Sequence, residues 1–268
     1  MTTAGLVYAR AGADAVEIRR DVEFTAADGG ALTMDVYYPS GLPNAALLKP
    51  NSGTPAVVVV EGYNDVGFLR LFGCRYKDMV SVDALGRLIA SSGMVAIAYS
   101  NREPVGDVHA VLRHVREHAV AMGIDGNRIG LWACSGHGPL ALSVLMSDAR
   151  AFVKCAALLY PYLMDLDGAT AVADAAATFR FANACDGKSM DDVPADRPFF
   201  IARAGQDQMP RLNEALDRFV ASALSANRAL SLVNHATGPH AFDLFDDSEA
   251  SRQVIRRTLG FLRLQLLG

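Results

Sequence analysis

The stretch from Arg128 to Leu142 constrains the fold of this chain more than any other feature. It begins with an apolar run, residues 129–133, that is typical of a buried strand, and it becomes helical at Pro139, a residue accepted in the first turn of a helix. A serine at such a strand-to-helix turn is exposed above the sheet edge, and the amides after it lie at a helix N-terminus that can bind an oxyanion. The stretch therefore predicts Ser135 as a nucleophile.

This pattern departs from the usual G-x-S-x-G, because Ala133 and His137 stand where the glycines belong. Cys134 is the competing nucleophile, but it would place the bulky Trp132 at the crowded position two residues upstream. An ordinary strand, turn and helix with an incidental serine is the alternative that requires no chemistry. The rest of the chain decides between these interpretations.

Composition and charge narrow the class of protein. The 268 residues are 51% hydrophobic and 20% charged, which is typical of a globular chain, and the net charge of −4 gives no basic patch for nucleic acid. The four cysteines show no C-x-x-C pair and no zinc-binding spacing. Without a recognisable signal peptide or an apolar run of about 18 residues, the sequence predicts a cytoplasmic protein that does not bind membranes.

Alternating strand-like and helix-like segments predict an α/β fold. Residues 16–26 and 31–38 are strand-like runs on either side of a hairpin signal, Asp28-Gly29-Gly30, and the β-branched run at residues 56–60 is typical of a strand buried on both faces of a parallel sheet. Further strands are predicted at residues 94–99, 153–160, 198–204 and 229–233, and helices at residues 77–91, 107–122, 139–147, 210–226 and 248–267. The pattern predicts a single domain, residues 1–268, with a mostly parallel, doubly wound sheet and an N-terminal antiparallel hairpin.

Three segments interrupt this alternation. Residues 39–55 are rich in proline, glycine, serine and asparagine and are predicted to form a loop. A second loop, with Phe68, Phe72 and Cys74, is expected after the strand at residues 56–60. We interpret residues 161–196 as a short cap or long loop inserted over the sheet edge, where segments that shape a substrate site usually lie.

Three polar residues follow predicted strands at their carboxyl ends, where ligands bind in such sheets. Ser135 comes first, Asp207 follows a later strand, and His240 lies in the loop after the last strand. In this order His240 would accept the proton of Ser135 while Asp207 orients the imidazole. His235 is the competing base, but it comes immediately after the last strand. Asp243 competes with Asp207 from within the loop of the histidine itself.

The sequence from His114 to His118 reads H-x-x-E-H, the inverted zinc-protease motif. At about 100° per residue, both histidines fall on the flank of the apolar stripe of their helix, and Glu117 falls on the opposite face. We therefore interpret the motif as the polar surface of a crossover helix and predict no metal site.

The order of serine, aspartate and histidine, together with the strand before each, resembles the α/β-hydrolase superfamily, and the chain is similar to its dienelactone-hydrolase-like group. The resemblance spans about residues 16–265. It rests on the leading hairpin and on the segments Val57–Tyr63, Arg128–Leu142, Ala204–Asp207 and Gly238–Phe242. This similarity implies an α/β-hydrolase fold with a short cap insertion.

The resemblance also implies a site and an activity. Its oxyanion-binding amides would be those of Gly136 and Tyr63. Dienelactone hydrolases use a cysteine nucleophile with a glutamate after the third strand, whereas this chain has Glu61 but a serine, which favours a serine esterase acting on a small-molecule ester through an acyl-enzyme, without a cofactor. A peptidase or acyltransferase using the same triad, and a degenerate hydrolase fold that only binds, are the alternatives. The sequence is compatible with a homodimer.

Five further residues are predicted to lie near the substrate, namely Glu61, Asn64, Arg102, His137 and Phe242. His137 is expected to contact the acyl or alcohol group, the alternative being that it fills space beside the last-strand loop. A bare carboxylate beside a developing oxyanion would oppose catalysis, so Glu61 is expected to be paired with Arg102 or protonated. A structural pair at the sheet edge, or no contact at all, is the alternative.

Overall fold

A computed structural model describes residues 4–41 and 53–268. Most of the loop predicted at residues 39–55 lies outside these ranges. The predicted hairpin is confirmed: β1 (Glu17–Thr25) and β2 (Ala31–Tyr38) pair antiparallel, and the turn between them has Gly29 at a positive φ of 84°. A positive φ is a conformation that glycine adopts without steric cost, which is why this turn forms here.

In the part of the chain that the structure describes, the sheet has eight strands in the order β1-β2-β4-β3-β5-β6-β7-β8. β2 pairs antiparallel with β4, and every neighbouring pair from β4 to β8 is parallel, so the predicted mixed, mostly parallel sheet is confirmed. The remaining strands are β3 (Thr54–Val59), β4 (Val95–Tyr99), β5 (Ile124–Cys134), β6 (Val153–Leu159), β7 (Phe199–Ala204) and β8 (Leu230–His235).

Helices cover both faces of this sheet, as the doubly wound prediction requires. The α-helices are α1 (Asp65–Phe72), α2 (Val80–Ser91), α3 (Pro104–Glu117), α4 (Gly138–Met146), α5 (Ala171–Phe179), α6 (Leu212–Ser225), α7 (Phe242–Phe245) and α8 (Glu249–Leu267). One apolar layer contains residues of α3, α4, α5 and α6, and the other contains residues of α1, α2, α7 and α8. Along β3, Val58 belongs to the first layer and Val57 and Val59 to the second, because successive side chains of a strand point to opposite faces.

Helix α1 forms where the sequence predicts a loop. Its N-cap is Asn64, whose side-chain oxygen accepts the Gly67 N–H at 2.7 Å, and its C-cap is Gly73 with φ 76°. Both are residue types that favour helix ends, so the stop and start signals were present in the sequence. Only eight residues lie between them, which is too short for an apolar period to stand out.

The inserted segment, residues 161–196, packs on the sheet rather than standing apart from it. It contains α5 and a short 3-10 turn at Met190–Asp192. Its buried side chains Phe181, Cys185 and Val193 belong to the same apolar layer as α4 and α6. The segment is therefore fixed to the body of the protein beside the carboxyl ends of the strands.

The two histidines of the H-x-x-E-H motif lie at the C-terminal end of α3, where His118 is the C-cap residue. The rings of His114 and His118 stack with centroids 4.1 Å apart, and His118 Nδ1 lies 2.9 Å from the carbonyl oxygen of His114. Within residues 4–41 and 53–268, no group of three or more His, Cys, Asp or Glu side chains is arranged to hold a metal ion.

No helix within the described ranges is both long enough and apolar enough to cross a membrane.

Candidate active site

Ser135 lies on a sharp turn between β5 and α4. Its φ of 52° is in the left-handed region, which costs a residue with a Cβ free energy and persists only where the surrounding fold enforces it. A 3-10 turn, Ser135–His137, joins directly to α4. The loop after β6 passes close to the start of α4. A Cβ at position 138 would lie 2.2 Å from the carbonyl oxygen of Tyr162, which explains the glycine there.

Asp207 and His240 are brought together by the loops after β7 and β8. His240 Nδ1 lies 2.7 Å from Asp207 Oδ2, and the Asp207 side chain is fully buried. The two loops touch through their backbones, because the Gln206 N–H donates to the carbonyl oxygen of Gly238 at 2.9 Å. The second carboxylate oxygen, Asp207 Oδ1, accepts the Met209 N–H at 2.9 Å. Asp207 is therefore held in one orientation beside the imidazole.

Ser135 and His240 both line one pocket of about 230 Å³. Its walls are mostly apolar and come from the N-terminal segment, from α1 and α2, and from the loops after β6 and β8. These walls include Leu6, Phe68, Leu71, Phe72, Met79, Val82, Leu85, Phe179 and Leu244. Of the inserted segment only Phe179 lines this pocket, so α1 and α2, rather than residues 161–196, supply most of the enclosure.

The competing catalytic residues have other partners. His235 Nε2 is 2.8 Å from the hydroxyl of Ser251 on α8 and 3.2 Å from Asp246 Oδ2. This ring nitrogen is therefore already bonded within the protein. Asp243 is buried and accepts a hydrogen bond from the Tyr160 hydroxyl instead of contacting the histidine ring nitrogens. The geometry thus favours His240 and Asp207 over both competitors.

Cys134 is half-buried and lines the pocket next to Ser135. Burial raises the pKa of the Cys134 thiol far above its ordinary value, with the nearby Asp243 carboxylate acting in the same direction. A protonated thiol is a poor nucleophile. Cys134 is therefore part of the pocket wall and unsuited to attack a carbonyl group.

The Gly136 and Tyr63 amides lie at the turn after β5 and in the loop after β3. Neither N–H has a hydrogen-bond acceptor among the described residues. The two residues are neighbours in space, because a Cβ added to Gly136 would lie 2.6 Å from the Tyr63 hydroxyl. Tyr63 also lines the pocket, and burial raises the pKa of its hydroxyl to about 12, so the phenol stays protonated.

His137 reaches the pocket wall, but its ring is bonded within the protein. The Gly62 N–H donates to His137 Nδ1 at 2.8 Å, and the His137 residue is only 6% exposed. Burial lowers the pKa of His137 to about 3, which keeps the imidazole neutral. The ring lies against Tyr76, with centroids 4.5 Å apart, and edge-to-face against Tyr63 at 5.1 Å. His137 thus joins the turn after β5 to the loop after β3.

The expected contact between Glu61 and Arg102 is wrong. Arg102 lies on the surface, where its guanidinium binds Asp28 at 2.6 Å and the carbonyl oxygen of Ala31 at 3.1 Å. Glu61 is fully buried, and neither of its carboxylate oxygens has a hydrogen-bond partner within the described structure. Burial, reinforced by the nearby Asp65 carboxylate, raises the pKa of Glu61 well above its usual range. The raised pKa favours a neutral Glu61 carboxyl in place of the expected ion pair.

Asn64 and Phe242 also lie away from the pocket. Asn64 is exposed and caps α1, as described above. Phe242 is fully buried, and its ring packs edge-on against Tyr160, with centroids 5.3 Å apart, and against His235 at 5.2 Å. Its neighbours Ala241 and Asp243 line the pocket instead. The loop after β8 thus lines the pocket through these residues and not through Phe242.

Sequence reasoning missed Tyr160, which immediately follows β6 and contacts the candidate base. Its ring centroid is 4.8 Å from that of His240, its hydroxyl donates to Asp243, and its φ of 37° is unusual for a residue with a Cβ. No motif marks such a position, because a tyrosine at the end of a buried strand is ordinary in sequence. Phe68 and Phe72, the aromatic residues of α1, lie in a segment that the sequence predicts to be a loop.

Comparisons with known proteins identify the fold. The sequence matches no protein-family model, and a search of curated proteins finds no significant match. Among solved structures, a bacterial heroin esterase is similar with a TM-score of 0.70 and 17% identity, covering 95% of this chain and 86% of that one. Esterase LipW from Mycobacterium marinum is similar with a TM-score of 0.69 and 17% identity, covering 95% of this chain and 83% of that one. A thermostable esterase from Pseudomonas putida ECU1011 has a TM-score of 0.67 and 16% identity, with 96% of this chain and 86% of that one covered.

These structures share the mixed sheet and its flanking helices over nearly the whole of this chain. At such identities the likeness concerns architecture, and it does not single out the dienelactone-hydrolase-like group. The chain has the α/β-hydrolase fold.

Proposed function

We propose that this protein is a serine hydrolase of carboxylic esters, with Ser135 as nucleophile, His240 as base and Asp207 as its orienting carboxylate. The observation that carries the proposal is the 2.7 Å contact of Asp207 with His240 Nδ1, combined with a serine at φ 52° that lines the same pocket as the histidine. Asp207 fixes the tautomer in which Nδ1 carries a proton, leaving Nε2 free to accept one.

In the first half-reaction, Ser135 Oγ attacks the ester carbonyl carbon and its proton passes to His240 Nε2. The carbonyl electron pair moves onto oxygen, and the amides of Gly136 and Tyr63 donate hydrogen bonds to that oxyanion. When the tetrahedral intermediate collapses, the bond to the alkoxide breaks and the alkoxide takes the proton from His240. An acyl group remains on Ser135.

Water completes the cycle by the same chemistry. His240 accepts a proton as the water oxygen attacks the acyl carbon, and the second tetrahedral intermediate is held by the same two amides. Its collapse releases the carboxylic acid and returns the proton to Ser135 Oγ. Asp207 remains ionised and stabilises the imidazolium that forms in each half-reaction.

The pocket favours an uncharged substrate with an apolar acyl or alcohol group. No lysine or arginine of the described chain lines it, while Asp243 does, so a carboxylate on the substrate would have no counter-ion there. Its volume of about 230 Å³ exceeds the roughly 150 Å³ at which an apolar cavity accepts benzene. We therefore expect esters with a bulkier group than acetate to be the better substrates.

A fluorophosphonate probe tests the proposal directly, since it labels only an activated serine. Wild-type protein should be labelled and Ser135→Ala should not, and hydrolysis of p-nitrophenyl butyrate should fall in the variant by about three orders of magnitude or more. Absence of labelling in a folded wild type would support a binding protein instead. Labelling with transfer of the acyl group to an added alcohol in preference to water would support an acyltransferase.

Two ester series test the substrate class. One varies the acyl chain on p-nitrophenol, and the other varies the alcohol on acetate, so the group that occupies the pocket is the one whose length changes kcat/KM. The matched pair of p-nitrophenyl hexanoate and the p-nitrophenyl monoester of adipate differs by one terminal carboxylate. Equal kcat/KM values for this pair would contradict the expected exclusion of anions.

A further inference from the structure

The loop after β3, residues 61–64, is the element on which the proposed oxyanion site depends. It follows a strand that is fixed in the sheet, but it has no secondary structure of its own until α1 begins at Asp65. An amide stabilises an oxyanion efficiently only if it is already oriented before the charge develops. The hydrogen bonds that hold this loop therefore determine how well the Tyr63 amide is oriented toward an oxyanion.

Two contacts hold the backbone around the Tyr63 amide, one on the peptide between Gly62 and Tyr63 and one on the peptide that follows it. The carbonyl oxygen of Gly62 accepts the Ala182 N–H at 2.8 Å, and the carbonyl oxygen of Tyr63 accepts the Asn101 side-chain amide at 2.9 Å. In a trans peptide the C=O and N–H point in opposite directions, so the Tyr63 N–H points away from Ala182. The Ala182 bond sets the plane of this peptide, and one residue earlier the Glu61 N–H donates to the Tyr99 hydroxyl at 3.3 Å.

The third contact comes from the nucleophile turn itself. The Gly62 N–H donates to His137 Nδ1 at 2.8 Å in a buried environment, only two residues from Ser135. The backbones also touch here, since a Cβ on Gly62 would lie 2.8 Å from the carbonyl oxygen of Gly136 and 3.1 Å from His137 Cα. A glycine at the position of His137, as in the usual motif, would provide no side-chain acceptor for this N–H.

The histidine is suited to this contact by its surroundings. Only a neutral imidazole has a lone pair on Nδ1, and accepting the Gly62 N–H there leaves the proton on Nε2. The ring cannot swing away, because it lies between the rings of Tyr63 and Tyr76, which are 5.1 Å and 4.5 Å from it by centroid. Tyr76 is in turn buried against α1 through Phe68, at 5.5 Å.

We propose that His137 is a positioning residue: its neutral ring binds the Gly62 N–H and thereby holds the Tyr63 amide in register with the Gly136 amide for the oxyanion. This inference rests on the proposed function and explains why a bulky ring occupies a position where the usual motif has glycine. It also removes the need for His137 to contact the substrate directly.

Two substitutions separate the hydrogen bond from the bulk of the ring. His137→Asn places an amide oxygen at the same distance along the side chain as Nδ1 and retains the acceptor, whereas His137→Phe retains a ring and leaves the Gly62 N–H without a partner. We expect His137→Phe to lower kcat about 10²-fold with KM changed less than about threefold, as loss of an oxyanion donor does. His137→Asn should retain kcat within about tenfold of wild type.

A reversible trifluoromethyl ketone supplies a readout that packing alone would not change. It forms a tetrahedral adduct with an oxyanion, so its Ki should rise in His137→Phe by the same factor as kcat/KM falls, while the midpoint of thermal unfolding reports any loss of fold. Equal kcat losses in the Asn and Phe variants, or full activity in His137→Phe, would overturn the inference.

Nitrogen NMR of the wild-type protein tests the hydrogen bond without reference to activity. The His137 ring should show the Nε2–H tautomer with an acceptor-type Nδ1 signal that stays unchanged from about pH 8 to pH 5. A protonated Nδ1 in this range would disprove the contact even in an active enzyme. If the tautomer is as expected but the fluorophosphonate does not label Ser135, the proposed function fails and the contact is only structural, which likewise overturns the positioning role.

Discussion

The carboxyl of Glu61 offers a sharp test of the electrostatics beneath the site. The Glu61 residue is 0% exposed to solvent. Within the described structure, neither of its carboxylate oxygens has a hydrogen-bond partner. Because burial raises the folded-state pKa of Glu61 above its ordinary value near 4.5, the folded protein keeps a proton that the unfolded chain releases. Glu61 therefore lowers the free energy of unfolding as pH rises.

The sign and the slope follow from proton linkage. Below about pH 4.5 the carboxyl is protonated in both states and has no pH-dependent effect. Above it, each pH unit over which the folded state retains the proton costs up to about 1.4 kcal/mol, until the pH passes the folded pKa and the folded carboxyl also ionises. Glu61→Gln is neutral at every pH and removes this cost. Above about pH 4.5, the free energy of unfolding of the Glu61→Gln variant should therefore rise relative to that of wild type by up to about 1.4 kcal/mol per pH unit.

Urea unfolding of both proteins between about pH 5 and pH 8 measures the effect. The matched control is Glu117→Gln, an exposed site on α3, whose difference from wild type should stay constant over this range. If the Glu61→Gln and wild-type curves run parallel, the folded carboxyl is ionised and must have a counter-ion. A crossing in the other direction, with wild type gaining stability as pH rises, would refute the argument altogether.

Three further substitutions test the site. Asp207→Asn should lower kcat by about 10⁴, because an amide favours the wrong imidazole tautomer in a triad, and it should leave KM nearly unchanged in p-nitrophenyl ester assays; a loss below tenfold would remove Asp207 from the mechanism. Cys134→Ala should retain most of kcat, since the thiol stays protonated, and a variant as inactive as Ser135→Ala would show that the wrong nucleophile was chosen. Val82→Phe should narrow the pocket and lower kcat/KM for long-chain esters more than for acetate esters. The control Val105→Phe, on the exposed surface of α3, should leave kcat/KM unchanged for both kinds of ester. An equal effect of Val82→Phe on all esters would show that Val82 does not contact the substrate's acyl chain.

Much of the fold was predictable because its signals are local. The hairpin turn before β2 requires glycine, the parallel strands are continuous apolar runs, and the order of Ser135, Asp207 and His240 along the chain places each after a strand. α1 was missed because eight residues are too few for periodicity to separate a helix from a loop.

The partners of individual side chains were less predictable. Arg102 was expected to reach Glu61, and the two do follow adjacent strands, β4 and β3. The hairpin, however, brings Asp28 to the surface beside Arg102, where the guanidinium stays hydrated. Moving that charge into the interior to meet Glu61 would cost its hydration, whereas the carboxyl can simply keep a proton. Sequence position limits which residues are neighbours, but desolvation decides which of them pair.

The sequence by itself determined the order of the strands and of α2, α3, α4, α6 and α8, the turn at Ser135 and the loops that hold Asp207 and His240. These features depend on residue types within a few positions of each other. Only the tertiary structure decided that His137 accepts the Gly62 N–H, and that α1 and α2 rather than the inserted segment enclose the pocket. It likewise decided that Glu61 is buried with no counter-ion among the described residues. Each of these depends on contacts between segments distant in sequence, and on how much water those contacts exclude, which no local pattern specifies.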